Sequence, residues 1–84
     1  MKTINKYYVL QDSKTKKYFG IDYSSGGYPW FSDDYSSAET FKDQTDIDKL
    51  YYGGEYNGAY KTMFPKECKN LIPKLVTVTT EIED

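Results

Sequence analysis

The sequence predicts an α+β fold: a small, mostly antiparallel sheet in β-β-β-α-β order with one or two short helices packed on one face. Three observations predict it. Alternating or β-rich stretches recur at residues 4–11, 17–23, 28–32 and 75–83, which is the period of a strand. Turn-forming residues separate the first three. Between the third and the last, apolar residues switch to i, i+3, i+4 spacing, which is the period of a helix.

Residues 4–11 alternate around Tyr, Val and Leu and read as the first strand. The polar run 12–16 turns the chain, with Asp12 and Ser13 able to bond their own backbone. Residues 17–23 form the second strand, with Phe19, Ile21 and Tyr23 on one face and Gly20 on the other, at a bulge or a close contact. The two strands make a hairpin. Gly26 and Gly27 supply positive φ for the next turn. Residues 28–32 read as a short third strand, and Pro29, which donates no hydrogen bond, places it at an edge or interrupts it there.

Residues 33–43 read as a helix start. Ser36 or Ser37 is the cap, Glu39 completes a capping box with Ser36, and Ala38 and Phe41 share a face. Residues 45–54 read as a further helical turn or two. Thr45 caps it, Asp46 and Asp48 lie in its first turn, and Gly53 or Gly54 stops it. Its apolar stripe is Ile47, Leu50 and Tyr51. Residues 55–74 are the least readable, with a turn signal at Asn57-Gly58 and room for one short helical turn between Pro65 and Pro73. Residues 75–83 are the clearest strand.

Eighty-four residues make one small domain, residues 1–84, with a marginal core. Ten Tyr, four Phe and one Trp exceed what such a core can hold. Several must therefore lie on the surface, where Tyr is enriched at binding sites. The net charge of −2 is unevenly spread: +4 over residues 1–17, −6 over 22–55, +3 over 61–74 and −3 in the tail from Glu81. There is no His and no Arg. The chain thus lacks the usual general base and the usual bidentate phosphate ligand. A single cysteine, Cys68, cannot form an internal disulfide, which favours a reducing compartment. The N-terminus has no apolar run of signal-peptide length, and no window approaches a membrane span. The expectation is a soluble protein of the cytoplasm.

Chemical motifs fail one by one. The glycine pair leads into a strand and lacks the spacing of a nucleotide loop. Asp46 and Asp48 match the first ligands of a calcium loop, but Tyr51 stands at its glycine position and Asn57 at its glutamate position. Cys68 has no His to activate it. The reading is a protein without catalytic equipment, cofactor or metal. Direct nucleic-acid binding would have to use Lys2, Lys6, Lys14, Lys16 and Lys17 with nearby Tyr, against an acidic sequence with no Arg.

What remains is the aromatic and acidic stretch 26–35. On a strand, Tyr28 and Trp30 share one face and Phe31 points to the other. Two placements of Trp30 follow: filling the core, or facing away from it in a hot spot with Tyr28, Asp33, Asp34 and Tyr35. Asp43, Asp46 and Asp48 would form an acidic flank.

Lys17-Tyr18, Ser25 to Trp30, Asp33-Asp34 and Ala38 to Phe41 together resemble small uncharacterised accessory proteins encoded by phages and prophages of low-GC Gram-positive bacteria. The resemblance covers about half of the chain. It implies an inhibitor that binds a bacterial host or defence protein, as anti-CRISPR proteins do, in one version through an acidic face that imitates nucleic acid. The alternatives are a nucleic-acid-binding accessory protein and a phage component that self-assembles through a strand edge.

Overall fold

The computed structural model describes residues 1–52, 60 and 63–83. Among these residues four strands form: β1 (Lys2–Asp12), β2 (Tyr18–Asp22), β3 (Tyr28–Ser32) and β4 (Leu71–Glu81). They make one antiparallel sheet in the order β3-β2-β1-β4. The α+β class is therefore present, with the last strand returning to lie beside the first. The predicted stop at Gly53 or Gly54 and the Asn57-Gly58 turn lie outside the described residues.

The β1–β2 turn is held by Asp12. Its carboxylate accepts from the Lys14 N–H at 2.8 Å and the Thr15 N–H at 3.0 Å. The Asp12 carbonyl accepts from Lys16 N–H, which closes the turn. Lys16 takes φ +65°, a left-handed conformation better suited to glycine. The β2–β3 turn meets that demand with the right residue, because Gly26 and Gly27 sit at φ +85° and +92°.

β1 and β2 pair only at Gln11↔Tyr18 before they diverge. The segment from Glu39 to Phe41 enters the gap. Glu39 N–H donates to the Phe19 carbonyl at 3.0 Å, and Tyr8 and Phe41 exchange two backbone hydrogen bonds of 2.7 and 2.8 Å. The helix expected over residues 33–43 is therefore replaced. Only a 3-10 turn forms, at Tyr35–Ser37, and the chain then runs extended. Asp34, not Ser36, is the cap, its carboxylate accepting from the Ser36 N–H. Burial of Phe41 against the sheet then outweighs continued helix.

The next predicted helix appears as α1 (Gln44–Ile47), continued by a wider π-type turn at Asp48–Tyr52. Asp43, rather than Thr45, caps it. A second short helix, α2 (Pro65–Cys68), begins at a proline, whose missing N–H is harmless there. Ile47, Tyr51 and Cys68 from these turns join Leu10, Phe19, Ile21, Phe41 and Leu71 in one core. Tyr23, expected beside Phe19 and Ile21, instead leaves the sheet in a 3-10 turn and is exposed.

β4 begins at Leu71, four residues before the predicted strand, and runs through Pro73. The register explains why proline is tolerated. Met1 and Ile82 exchange backbone hydrogen bonds, so odd residues of β1 bond even residues of β4. Pro73 lies opposite Leu10, and its missing donor falls on the outer side of the sheet. Beyond the core, residues 2–6 of β1 and 77–81 of β4 are exposed and continue as a two-stranded ribbon. The ribbon accounts for the long axis of 49 Å in a molecule 26 Å across. Among the described residues no helix is long and apolar enough to cross a membrane.

Two substitutions test this account. Lys16→Gly is expected to stabilise by about 0.5 kcal/mol, because relief of roughly 1–2 kcal/mol of left-handed strain exceeds roughly 0.5–1 kcal/mol of unfolded-state entropy. A lower urea midpoint would overturn the strain argument. At Gly20, an added Cβ would meet Trp30 Nε1 at 3.2 Å and the Ser37 carbonyl at 3.3 Å. Gly20→Ala sets displacement of the indole, at roughly 1–3 kcal/mol, against roughly 0.5–1 kcal/mol gained by removing a strand glycine, so it should destabilise by about 1 kcal/mol and shift the emission of the sole tryptophan. An unchanged midpoint and spectrum would contradict that contact.

Candidate functional site

Among the described residues β3 is an outer strand, and it and the turn that follows carry three exposed aromatics, Tyr28, Trp30 and Tyr35. Phe31 stacks edge-on against Phe19 at 6.2 Å and belongs to the core side. Alternation then sends Trp30 the other way, leaving it 41% exposed, and Tyr28, at the start of the strand, is 58% exposed. Trp30 does not fill the core; the edge of its indole lies over Gly20, which has no side chain to displace it. Tyr35 is 48% exposed and packs edge-on against Tyr18 at 6.4 Å. The side of β3 away from the core thus carries Trp30, with Tyr35 just beyond the strand's end, while Tyr28, at the strand's first position, leans against Phe64 at the margin of the core.

Tyr28 also forms one wall of an open groove of about 360 Å³, lined by Gly26, Gly27, Tyr28, Tyr60, Met63 and Phe64. Phe64 sits 5.4 Å from the Tyr28 ring and 5.9 Å from the Tyr60 ring, nearly parallel to the latter. The Tyr60 hydroxyl donates to the Gly27 carbonyl at 2.9 Å, which ties the glycine turn to the second wall. Tyr60 also reaches the core through an edge contact with Phe19 at 5.5 Å. The groove is therefore built on an aromatic base joined to the core. Met63 is exposed at its rim.

The Tyr60 hydroxyl is held above its ordinary pKa, first by burial and then by the Glu39 carboxylate. Tyr23 is shifted the same way, by burial and by Glu39, to which it donates at 3.2 Å. Both phenols stay neutral at physiological pH. The groove therefore offers apolar ring faces rather than a charge, and the Tyr60 hydroxyl proton is already engaged by the Gly27 carbonyl.

The acidic residues have local tasks. Asp34 accepts from Ser36 N–H, and the Ser36 hydrogen bonds hold its carboxyl below the ordinary range. Asp43 accepts from Asp46 N–H at 3.1 Å, and Asp48 accepts from Gln44 Nε2 at 3.0 Å. Asp33 is exposed on the bend after β3, and Asp46 is half-buried. None of the five lines the groove. Their positions follow from capping and turn formation.

Sequence reasoning reached Tyr28, Trp30 and Tyr35 but missed Tyr60, Met63 and Phe64. The missed signal is helical spacing. Tyr60, Phe64 and Cys68 stand at i, i+4, i+8, and the Phe64 and Cys68 N–H groups bond the Tyr60 and Phe64 carbonyls. Among the described residues no cluster of three acidic, His or Cys side chains is placed to hold a metal ion. Comparison with protein-family models, with curated proteins and with solved structures finds no match to this chain.

Cys68 is fully buried and unpaired in a disulfide. Burial, helped by Glu67 and Asp12, pushes its thiol from an ordinary 9.0 up to about 12. The protonated thiol is a packing group, not a nucleophile. Because the folded state holds this proton more tightly, the associated stability is full below pH 9 and is lost as pH rises toward about 12. The expected outcome is a thiol that resists a disulfide-exchange reagent at pH 8 until denaturant is added. Rapid reaction of the native protein would refute the burial.

Proposed function

We propose that this chain is a non-enzymatic protein-binding module that recognises its partner through the β3 edge. The observation that carries this reading is the exposure of Tyr28, Trp30 and Tyr35 along one short strand and its end, with Tyr28 opening into an aromatic groove. Such surfaces supply large contact area at low entropic cost, and a groove of this kind takes one apolar anchor from a partner. Pro29 supports the reading. Phe19 turns its carbonyl toward Glu39, so Phe19↔Phe31 and Ile21↔Pro29 are non-bonded pairs within β2–β3. The missing donor of Pro29 therefore lies on the free edge, and strand addition there is discouraged. Recognition at β3 runs through side chains.

The partner class is the one the phage resemblance implies: a bacterial host or defence protein in the cytoplasm, inhibited by occupation of a functional surface. A standard interface needs roughly 800 Å² per side, a fraction that a molecule exposing 5845 Å² can supply. Asp33 and Asp34, on the bend that follows β3, would supply polar contacts beside the rings, and Asp43, Asp46 and Asp48 belong to the α1 segment. Because several are engaged as caps, the aromatic surface rather than nucleic-acid mimicry is the centre of this reading.

The test is capture from a nuclease-treated lysate of a low-GC Gram-positive host, with the captured protein then purified and its affinity measured directly. Tyr28→Ala and Trp30→Ala, both exposed, should fold as the wild type does and each weaken binding by at least about 2 kcal/mol, near thirtyfold. An Asp33, Asp34→Lys double variant should change the salt dependence more than the affinity. Binding that survives both aromatic substitutions in folded protein would overturn the reading.

A further inference from the structure

We infer that β4 is a self-association edge and that its occupant is a second copy of this chain, paired antiparallel about a two-fold axis at Val78. β4 is the outer strand opposite β3. Its even residues bond β1, so the N–H and C=O groups of Leu75, Thr77, Thr79 and Glu81 point outward along an open edge. Edge strands are ordinarily blunted by proline, inward charge or a bulge. Here the blunting residue, Pro73, stands near one end, and residues 75–80 carry no charge and no proline. The outer ribbon is exposed on both faces, and a ribbon of two strands gains much of its stability from added strands.

The register follows from these constraints. Outward groups must face outward groups, so odd residues of one copy bond odd residues of the other. Centring the pair on Val78 sets Leu75 opposite Glu81 of the second copy and Thr77 opposite Thr79, and leaves Pro73 outside the bonded stretch. Val78 then meets its own counterpart at a non-bonded position, where side chains approach most closely. Charge selects the same arrangement. The chain carries +3 over residues 61–74 and −3 from Glu81 to the C-terminus. Antiparallel pairing in this register sets residues 73–75 beside residues 81–83 of the other copy, which brings Lys74 next to its Glu81 and Glu83, whereas parallel pairing would oppose like charges. The product is one continuous eight-stranded sheet with both aromatic β3 edges free.

The experiment is analytical ultracentrifugation of the full chain across a concentration series at low salt. The wild type should approach twice the 9.8 kDa chain mass. Thr77→Pro should weaken association by at least about tenfold while leaving the circular dichroism spectrum intact, since it removes an outward donor as Pro73 already does. Val78→Lys and Val78→Glu, at an exposed position, should each be monomeric alone and regain the dimer mass when mixed in equal amounts. The mixing result stands even if the proline variant does not fold. A wild type that stays at the monomer mass up to millimolar concentration would overturn the proposal. So would a dimer that persists in both Val78 variants, or a mixture that recovers nothing.

Discussion

The fold depends on one insertion. β1 and β2 share a single register pair at their turn, and the space between them is filled by three residues, Glu39 to Phe41. Those residues satisfy backbone groups of Tyr8 and Phe19 that would otherwise be left open in the middle of the sheet. Phe41, at the end of the insertion, is buried in the core with Leu10, Phe19, Ile21 and Leu71. The same three residues therefore hold the two halves of the sheet together and seed the core.

Two consequences reach the surface. Because the insertion stops at Tyr8, β1 continues toward its N-terminus with β4 as its strand partner, and the ribbon projects from the body. Because the insertion takes the Phe19 carbonyl on the side away from β3, Gly20 rather than Phe19 turns its backbone groups to β3, and Pro29 and Phe31 face the outer edge. Tyr23 is tethered to the same segment through Glu39, which also acts on the Tyr60 phenol. The candidate site is thus set by a segment that contributes no residue to it.

The strands were legible because burial on a sheet imposes a period of two, and 28–32 appears with the bounds the sequence suggests. The turn at Gly26-Gly27 was legible because positive φ selects glycine. The insertion was not. Ser36 and Glu39 have capping-box spacing, yet Asp34 is closer in sequence to the Ser36 N–H and captures it first. One turn then suffices, and the gap between β1 and β2 draws Phe41 into extended pairing. No local pattern announces a gap created by two other strands. The exposure of Trp30 was legible once Phe31 was assigned to the core. The groove was not, because its second wall comes from Tyr60 and Phe64, more than thirty residues from Tyr28.

The two edges of the sheet carry the same residue to different effect. Pro29 and Pro73 both turn their missing donor outward. In β3, five residues long, a proline at the second position leaves Phe31 as the one interior residue with an outward donor. That edge can offer a partner little backbone, and what it offers instead is rings: Tyr28, Trp30 and, just beyond its end, Tyr35. In β4, eleven residues long, a proline at the third position leaves the whole distal stretch intact. That edge offers backbone and few large side chains. Side-chain recognition selects a partner by shape and chemistry, whereas backbone recognition selects any strand that can align, the chain's own included. The placement of two prolines therefore separates the surfaces by the kind of bond each can make, and a partner held at β3 leaves β4 open.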